Sequence, residues 1–207
     1  MIIEKRRDRE IEEMRELILS AANEIIALEG FEKLSIRKIA KKIEYSPAII
    51  YHYFNDKEEI INNLMLKGYK KIVSAISSAE TKSNSAEEKL IEMTKNYINI
   101  ALSMPEEFMA AQLNTSKEAL KYTSYLFKGA SKEKAALSSL YKCLQDIYKD
   151  KLIDEETLEL TAQIIAVSTL GLIIKLSIEK DMEEEQKQKL IEFYSKEIVL
   201  KIAHNNK

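Results

Sequence analysis

SIRKIAKKIEYSPAIIYHYFNDK, residues 35–57, decides how this chain folds. Ser35 is placed to cap a helix, because its hydroxyl can accept a backbone N–H that has no partner inside the helix. Ile36, Ile39, Ala40 and Ile43 follow at helical spacing and give that helix one apolar face. Glu44-Tyr45-Ser46 breaks the pattern. Ser46 before Pro47 is a second start signal, since proline at the first helical position loses no needed N–H. The second helix is predicted over Pro47–Tyr53, with Ile50 and Phe54 inward and Ala48, Ile49, Tyr51, His52 and Tyr53 outward.

Helices this short do not stand alone. Paired, they form a helix-turn-helix, whose second helix enters the DNA major groove. Lys33, Arg37, Lys38, Lys41, Lys42 and Lys57 outnumber Glu44 and Asp56 here, in a chain of 207 residues whose net charge is −2. Such a basic patch attracts phosphate backbone whatever the base sequence.

Ile39-Ala40, Ser46-Pro47, Tyr51-His52-Tyr53-Phe54 and Lys57-Glu58-Glu59-Ile60, in that order and spacing, resemble the DNA-binding signature of the TetR (tetracycline repressor-like) family. The family usually has glycine where this chain has Glu44, glycine or another small residue at Ala48, and threonine at Ile49. On the DNA-binding reading Tyr51 and Lys57 hold phosphates, Ser46 adds a backbone or hydroxyl contact, and Pro47 beside it opens the reading helix and is counted with the DNA-binding residues. On the same reading Arg37, Ala48, Ile49, His52 and Tyr53 approach base edges or sugar. Residues 97–108 are similar to a segment of one group of TetR-type C-terminal domains.

Outward from the motif, Ile11, Met14, Ile18, Ala21, Ile25 and Leu28 predict a supporting helix that Gly30 ends. Lys5, Arg6, Arg7 and Arg9 before it read as a frayed helix start, or as a basic arm reaching phosphate or minor groove. Asp56 with Glu59 is a capping-box pattern, and the helix it opens is expected to reach about Ala79 as a mechanical connector. Few glycines and prolines, with much Lys, Glu, Leu and Ile, give an all-α class. The expected organisation is a three-helix helix-turn-helix domain over 1–56 (motif 35–54), a connector helix over 57–79, and a helical ligand-binding and dimerisation domain over 80–207. The polar run 80–84 marks the boundary between the last two.

In that second half, Ser85 and Asp154 are expected caps, one helix is expected from Asn114-Thr115-Ser116 to Phe127, and another from Glu184 to Ala203. Asn205-Asn206-Lys207 is expected to be loose. The helix expected over 156–179 is apolar nearly all round from Ile164 to Ile174, so it must be buried on every side. With the last helix it is read as a homodimer interface using Ile165, Ser168, Leu172, Leu190, Tyr194 and Ile198. Tyr97, Met104, Phe108, Met109, Leu113, Tyr122, Tyr125 and Tyr141 are candidates to line a site for an apolar or aromatic effector.

No Arg or His falls between residues 80 and 200, which disfavours a tightly held anion. Catalysis is not expected, since no phosphate loop, nucleophile elbow or metal-ligand pair is present; no cofactor or metal is expected. Cys143, the single cysteine, fits a reducing cytoplasm. No signal peptide is seen, and the Ile164–Ile174 run is too short to span a bilayer. The expected function is a ligand-responsive homodimeric repressor that binds a pseudo-palindromic operator in double-stranded DNA and is released by a small molecule. The alternative is a helical dimer that uses its helix-turn-helix as a protein-binding scaffold.

Overall fold

The computed structural model describes residues 2–81, 85–149 and 152–204. Lys5 of the basic N-terminal run, residues 82–84 of the expected boundary and the tail 205–207 lie outside the residues whose side chains are described. Every regular element among the described residues is helical. In order these are α1 (Ile2–Glu29), α2 (Ile36–Lys42), α3 (Pro47–Tyr53), α4 (Lys57–Ser77), α5 (Ala86–Leu102), α6 (Pro105–Leu113), α7 (Lys117–Thr123), α8 (Ala130–Glu133), α9 (Ala135–Ile147), α10 (Glu155–Ile178), α11 (Glu184–Phe193) and α12 (Leu200–His204). Short 3-10 turns cover Phe31–Lys33 and Ser78–Thr81, and a π-helical stretch, Tyr194–Val199, joins α11 to α12.

Two compact units result. The first is Met1–Gly68 with Glu106–Thr123; the second is Tyr69–Pro105 with Ser124–Lys207. The division differs from the expected one: α4 passes from one unit to the other at Gly68, and α6 and α7 belong with the N-terminal helices. The reason is packing. Ile18, Ile39, Ile50, Phe54 and Ile60 form a closed core, and Ala119 of α7 is buried in it, with Ala110, Ala111 and Tyr122 packed against it. Polar ties run the same way: Tyr122 shares a hydrogen bond with Asn62 at 3.0 Å, and Asn23 donates to Glu107 at 2.9 Å.

In the second unit α5 packs on α9, α10 and the π-helical stretch. Leu90, Cys143, Leu144, Ile165 and Val199 close its core. The predicted helix through Phe127 stops at Thr123 instead. The strap that follows is held by two side chains of α10. Gln163 donates to the carbonyls of Tyr125 and Phe127 at 2.9 and 3.0 Å. Glu159 accepts from the N–H groups of Gly129 and Ser131 at 2.9 Å and from the Ser131 hydroxyl at 2.7 Å. The Gly129 N–H leads in holding the Glu159 carboxyl below the usual carboxylate range. A depressed folded-state pKa means that this tie contributes stability above the ordinary carboxylate pKa and loses it as pH falls through the lower folded value. Protection of the Gly129 and Ser131 amides, measured against their intrinsic exchange rates, is therefore expected to hold at neutral pH and to fall only well into acid.

Caps form where the sequence placed them. Ser35 accepts from Lys38 N–H at 3.3 Å, Ser85 from Glu88 at 3.1 Å and Asp154 from Thr157 at 2.8 Å. Ser46 differs: its hydroxyl makes no cap hydrogen bond, and its carbonyl takes the Ile49 N–H. The last helix differs too, because its π-helical stretch interrupts the stripe expected from Glu184 to Ala203. α10 is long and apolar enough to cross a membrane by length and composition. It carries Glu155, Glu156, Glu159 and Lys175, however, and it packs on α5 and α9 inside its unit.

Glu44 has a φ of 61° and is the only non-glycine residue with positive φ among the described residues. The turn it makes ends α2 in a paired-bond cap: Tyr45 N–H reaches Ala40 C=O at 2.9 Å and Glu44 N–H reaches Lys41 C=O at 3.3 Å. This is the position where glycine costs least. Glu44→Gly is expected to raise stability by about 1 kcal/mol in urea unfolding, the cost of a left-handed residue with a side chain. A destabilised variant would mean that the Glu44 side chain contributes more than the strain costs.

Candidate nucleic-acid interface

α3 is short, and its orientation follows from two anchors. Ile50 and Phe54 are fully buried in the first unit. The opposite face is therefore turned out: Ser46, Pro47, Ala48, Ile49 and His52 are exposed, and Tyr51 is 58% exposed. Tyr53 departs from the expectation. Its ring is half-buried and packs against the core, meeting His52 edge-on at 5.1 Å. It sits where the helix surface turns back toward Phe54, so it presents less to a groove than Tyr51 does.

The basic residues beside α3 divide into two groups. Lys38 is paired with Glu29 at 2.5 Å and Lys42 with Glu24 at 2.7 Å, both on α1. Arg37, Lys33, Lys41 and Lys57 make no ion pair among the described residues. Asp56, the nearest acid, caps α4 by accepting the Glu59 N–H at 2.7 Å. The positive charge is thus carried by Arg37 and Lys41 of α2 with Lys33 and Lys57 at the two ends of the motif, and the apolar-polar surface of α3 lies in the same unit.

A residue of α1 that sequence reasoning passed over meets α3 from behind. The Arg15 guanidinium lies over the Phe54 ring, 4.1 Å from its centre, and donates to the Tyr53 carbonyl. Its other nitrogen stands 3.6 Å from Glu59. A cation one step from Met14 in the apolar stripe was the available signal.

The residues expected to line an effector site are not brought together within one unit. Phe108, Met109 and Leu113 lie in the first; Tyr97, Met104, Tyr125 and Tyr141 lie in the second. Leu113 is 71% exposed, because α6 turns Ala110 and Ala111 to the core and leaves Leu113 on its outer side. Tyr122 hydrogen-bonds Asn62 in the first unit. In the second, Tyr97 and Tyr125 are close neighbours. Burial pushes both phenols up, and Tyr125 adds to the shift of Tyr97. Burial first, then Glu155 and Glu159, raises Tyr141. All three are held as neutral hydroxyls at physiological pH.

The expected dimer residues divide by their exposure on the single chain, with Ile198 outward. Ile165 is 2% exposed and belongs to the core of its own chain. Ser168 and Tyr194 share a hydrogen bond at 2.7 Å, and Tyr194 also meets Thr169 at 3.1 Å. These groups bind α10 to the last helical run within one chain. Leu172 and Leu190 are half-buried. The outward face of α10 is Leu160, Ile164, Val167, Gly171 and Ile178, with Phe193 and Ile198 exposed on the last helical run. The face is turned by one residue, about 100° on a helix of 3.6 residues per turn.

Comparison with known proteins agrees with this geometry. The family described as bacterial regulatory proteins, tetR family, matches residues 18–64. The HTH-type transcriptional regulator UidR of Escherichia coli K12 is 38% identical over 58 residues, which cover 28% of this chain and 30% of UidR. The match thus spans under a third of that relative's length, around the motif. Solved structures extend the likeness to the whole fold. The fatty acid degradation regulator FadR of Bacillus halodurans superposes with a TM-score of 0.68 at 20% identity, over 93% of this chain and 99% of that one. The regulator FadR of Bacillus subtilis, solved with stearoyl-CoA, gives 0.69 at 18% identity, over 92% and 98%.

Proposed function

We propose that this chain, whose residues 18–64 match the tetR family of bacterial regulatory proteins, is a member of that family and acts as a cytoplasmic, homodimeric transcriptional repressor that binds a pseudo-palindromic operator in double-stranded DNA and releases it when a small molecule binds. The observation that carries the reading is the outward face of α3. Two buried anchors present Ser46 to His52 to solvent in a unit whose unpaired cations flank them. Two such helices in a dimer would read half-sites one helical turn apart, roughly 34–36 Å, or a multiple of that. Tyr51 and Lys57 would hold phosphates, and Arg37, Ala48, Ile49 and His52 would approach base edges or sugar, with Tyr53 behind them.

The effector is proposed to be apolar or aromatic, bound in the second unit near Tyr97, Tyr125 and Tyr141. The neutral phenols there offer hydrogen bonds without charge. The Bacillus subtilis regulator is solved with stearoyl-CoA, whose acyl chain is the part a site of this kind would take, since no Arg or His between residues 80 and 200 is there to meet the CoA phosphates. A ligand of this kind acts only if it binds the DNA-competent and released states with different affinity.

Selection of bound duplex from a random pool, followed by a salt titration, tests the reading. An enriched pseudo-palindrome with affinity falling steeply in salt supports it; only weak, sequence-blind binding overturns it in favour of a scaffold. Lys57→Ala is expected to weaken binding to every duplex and to flatten the log–log salt slope by about one. An unchanged slope removes Lys57 from the phosphate contacts.

A further inference from the structure

Because α3 is held by so few residues, its position depends on what closes its C-terminal end. Its last helical residue, Tyr53, leaves a carbonyl without a partner inside the helix, and the Arg15 side chain fills that place. The same guanidinium lies over the Phe54 ring, its central carbon 4.1 Å from the ring centre, and stands 3.6 Å from Glu59 Oε1. Glu59 Oε2 in turn accepts the backbone and side-chain N–H groups of Asn55 at 2.9 and 2.8 Å. One side chain from α1 therefore ties the end of α3, the Phe54 anchor, the Asn55-Asp56 turn and the first turn of α4. Arg15 lies outside the residues matched to the family, and its side chain is about three-quarters buried behind α3.

We infer that Arg15 is a positioning residue for DNA reading: its planar guanidinium clamps the α3–α4 corner and fixes the angle at which Tyr51, His52 and Ile49 are presented, without touching DNA itself. The inference rests on the DNA-binding reading above. Charge alone does not meet all three contacts; stacking on Phe54 needs the flat guanidinium, which lysine lacks.

The test uses the full chain and two variants, Arg15→Met and Arg15→Lys. It reads amide exchange in the DNA-free protein and affinity for the selected operator and for a random duplex. Arg15→Met is expected to speed exchange at Ile50–Asn55 at least tenfold while Ile36–Lys42 keeps its rate. Operator affinity should fall at least tenfold, with random-duplex affinity and its salt slope unchanged. Arg15→Lys should recover part of both effects, and it carries the test if Arg15→Met does not fold. Equal losses on operator and random duplex, with a slope lower by one, would make Arg15 a phosphate contact and overturn the inference. Unchanged exchange and affinity, or complete recovery by lysine, would also overturn it. If the parent protein selects no duplex, the DNA reading fails by itself, and the exchange measurement still decides whether Arg15 holds α3.

Discussion

Ile164→Asp is expected to yield a folded monomer that no longer holds its operator, whereas Ile165→Asp, one residue on, is expected to unfold the second unit. The two positions have the same side chain and sit in the same helix. Ile164 is 55% exposed, and Ile165 is 2% exposed. The outward residues Leu160, Ile164, Val167 and Ile178 recur at helical spacing along α10, leaving a continuous apolar face on one helix. Apolar faces of this extent mark association surfaces. In a two-fold interface each substitution enters twice, so one aspartate per chain buries two carboxylates. At several kcal/mol for each unpaired charge, dimer affinity falls by on the order of a thousandfold or more. Sedimentation would show chain mass in place of dimer mass, with unchanged far-ultraviolet dichroism. Operator affinity would fall at least a hundredfold, since the second half-site no longer binds at the effective concentration the dimer supplies. A variant that still sediments as a dimer would place the interface elsewhere.

The contrast between those two residues also shows where sequence reading stops. The helix-turn-helix was legible because its signals are local: Ser35, Pro47, Gly30 and the spacing of Ile36, Ile39, Ile50 and Phe54 each act within a turn or two. The extent of α10 was legible for the same reason, through the Asp154 cap. Its outward face was not, because a helix apolar all round has no stripe to read. The choice between Ile164 and Ile165 is made by α5, α9 and α12, other helices that no signal within a turn or two of α10 reveals. The strap after Thr123 shows a similar limit. Its residues look helical, but carbonyls that a helix would use are taken by Gln163. Arg15 was hidden by convention: a cation in a helix read for its apolar face is passed over until the ring and carbonyl it meets are seen.

The second large effect concerns α6 and α7. A fragment ending at Ala79 contains every residue of the motif, yet it is expected not to fold as an independent DNA-binding head. Ala119 is completely buried among Ile18, Ile39, Ile50, Phe54 and Ile60, and Ala110, Ala111 and Tyr122 pack on the same core. Removing residues 106–123 opens that core to water and leaves Asn23 and Asn62 without Glu107 and Tyr122. A domain near 70 residues has little stability to spare. Loss of several half-buried apolar contacts, at roughly 25 cal/mol for each Å² exposed, is comparable with the whole stability of so small a unit. The fragment should melt without a cooperative transition and lose at least tenfold in affinity for any duplex. Joining residues 106–123 to it through a flexible Gly/Ser linker should restore the transition, because the packing is needed and the intervening chain is not. A fragment that melts cooperatively without them would make α6 and α7 lodgers on the head rather than part of its core. Full restoration by the tethered pair would mean that a segment beginning about fifty residues beyond the motif is as much a part of the DNA-reading unit as α1.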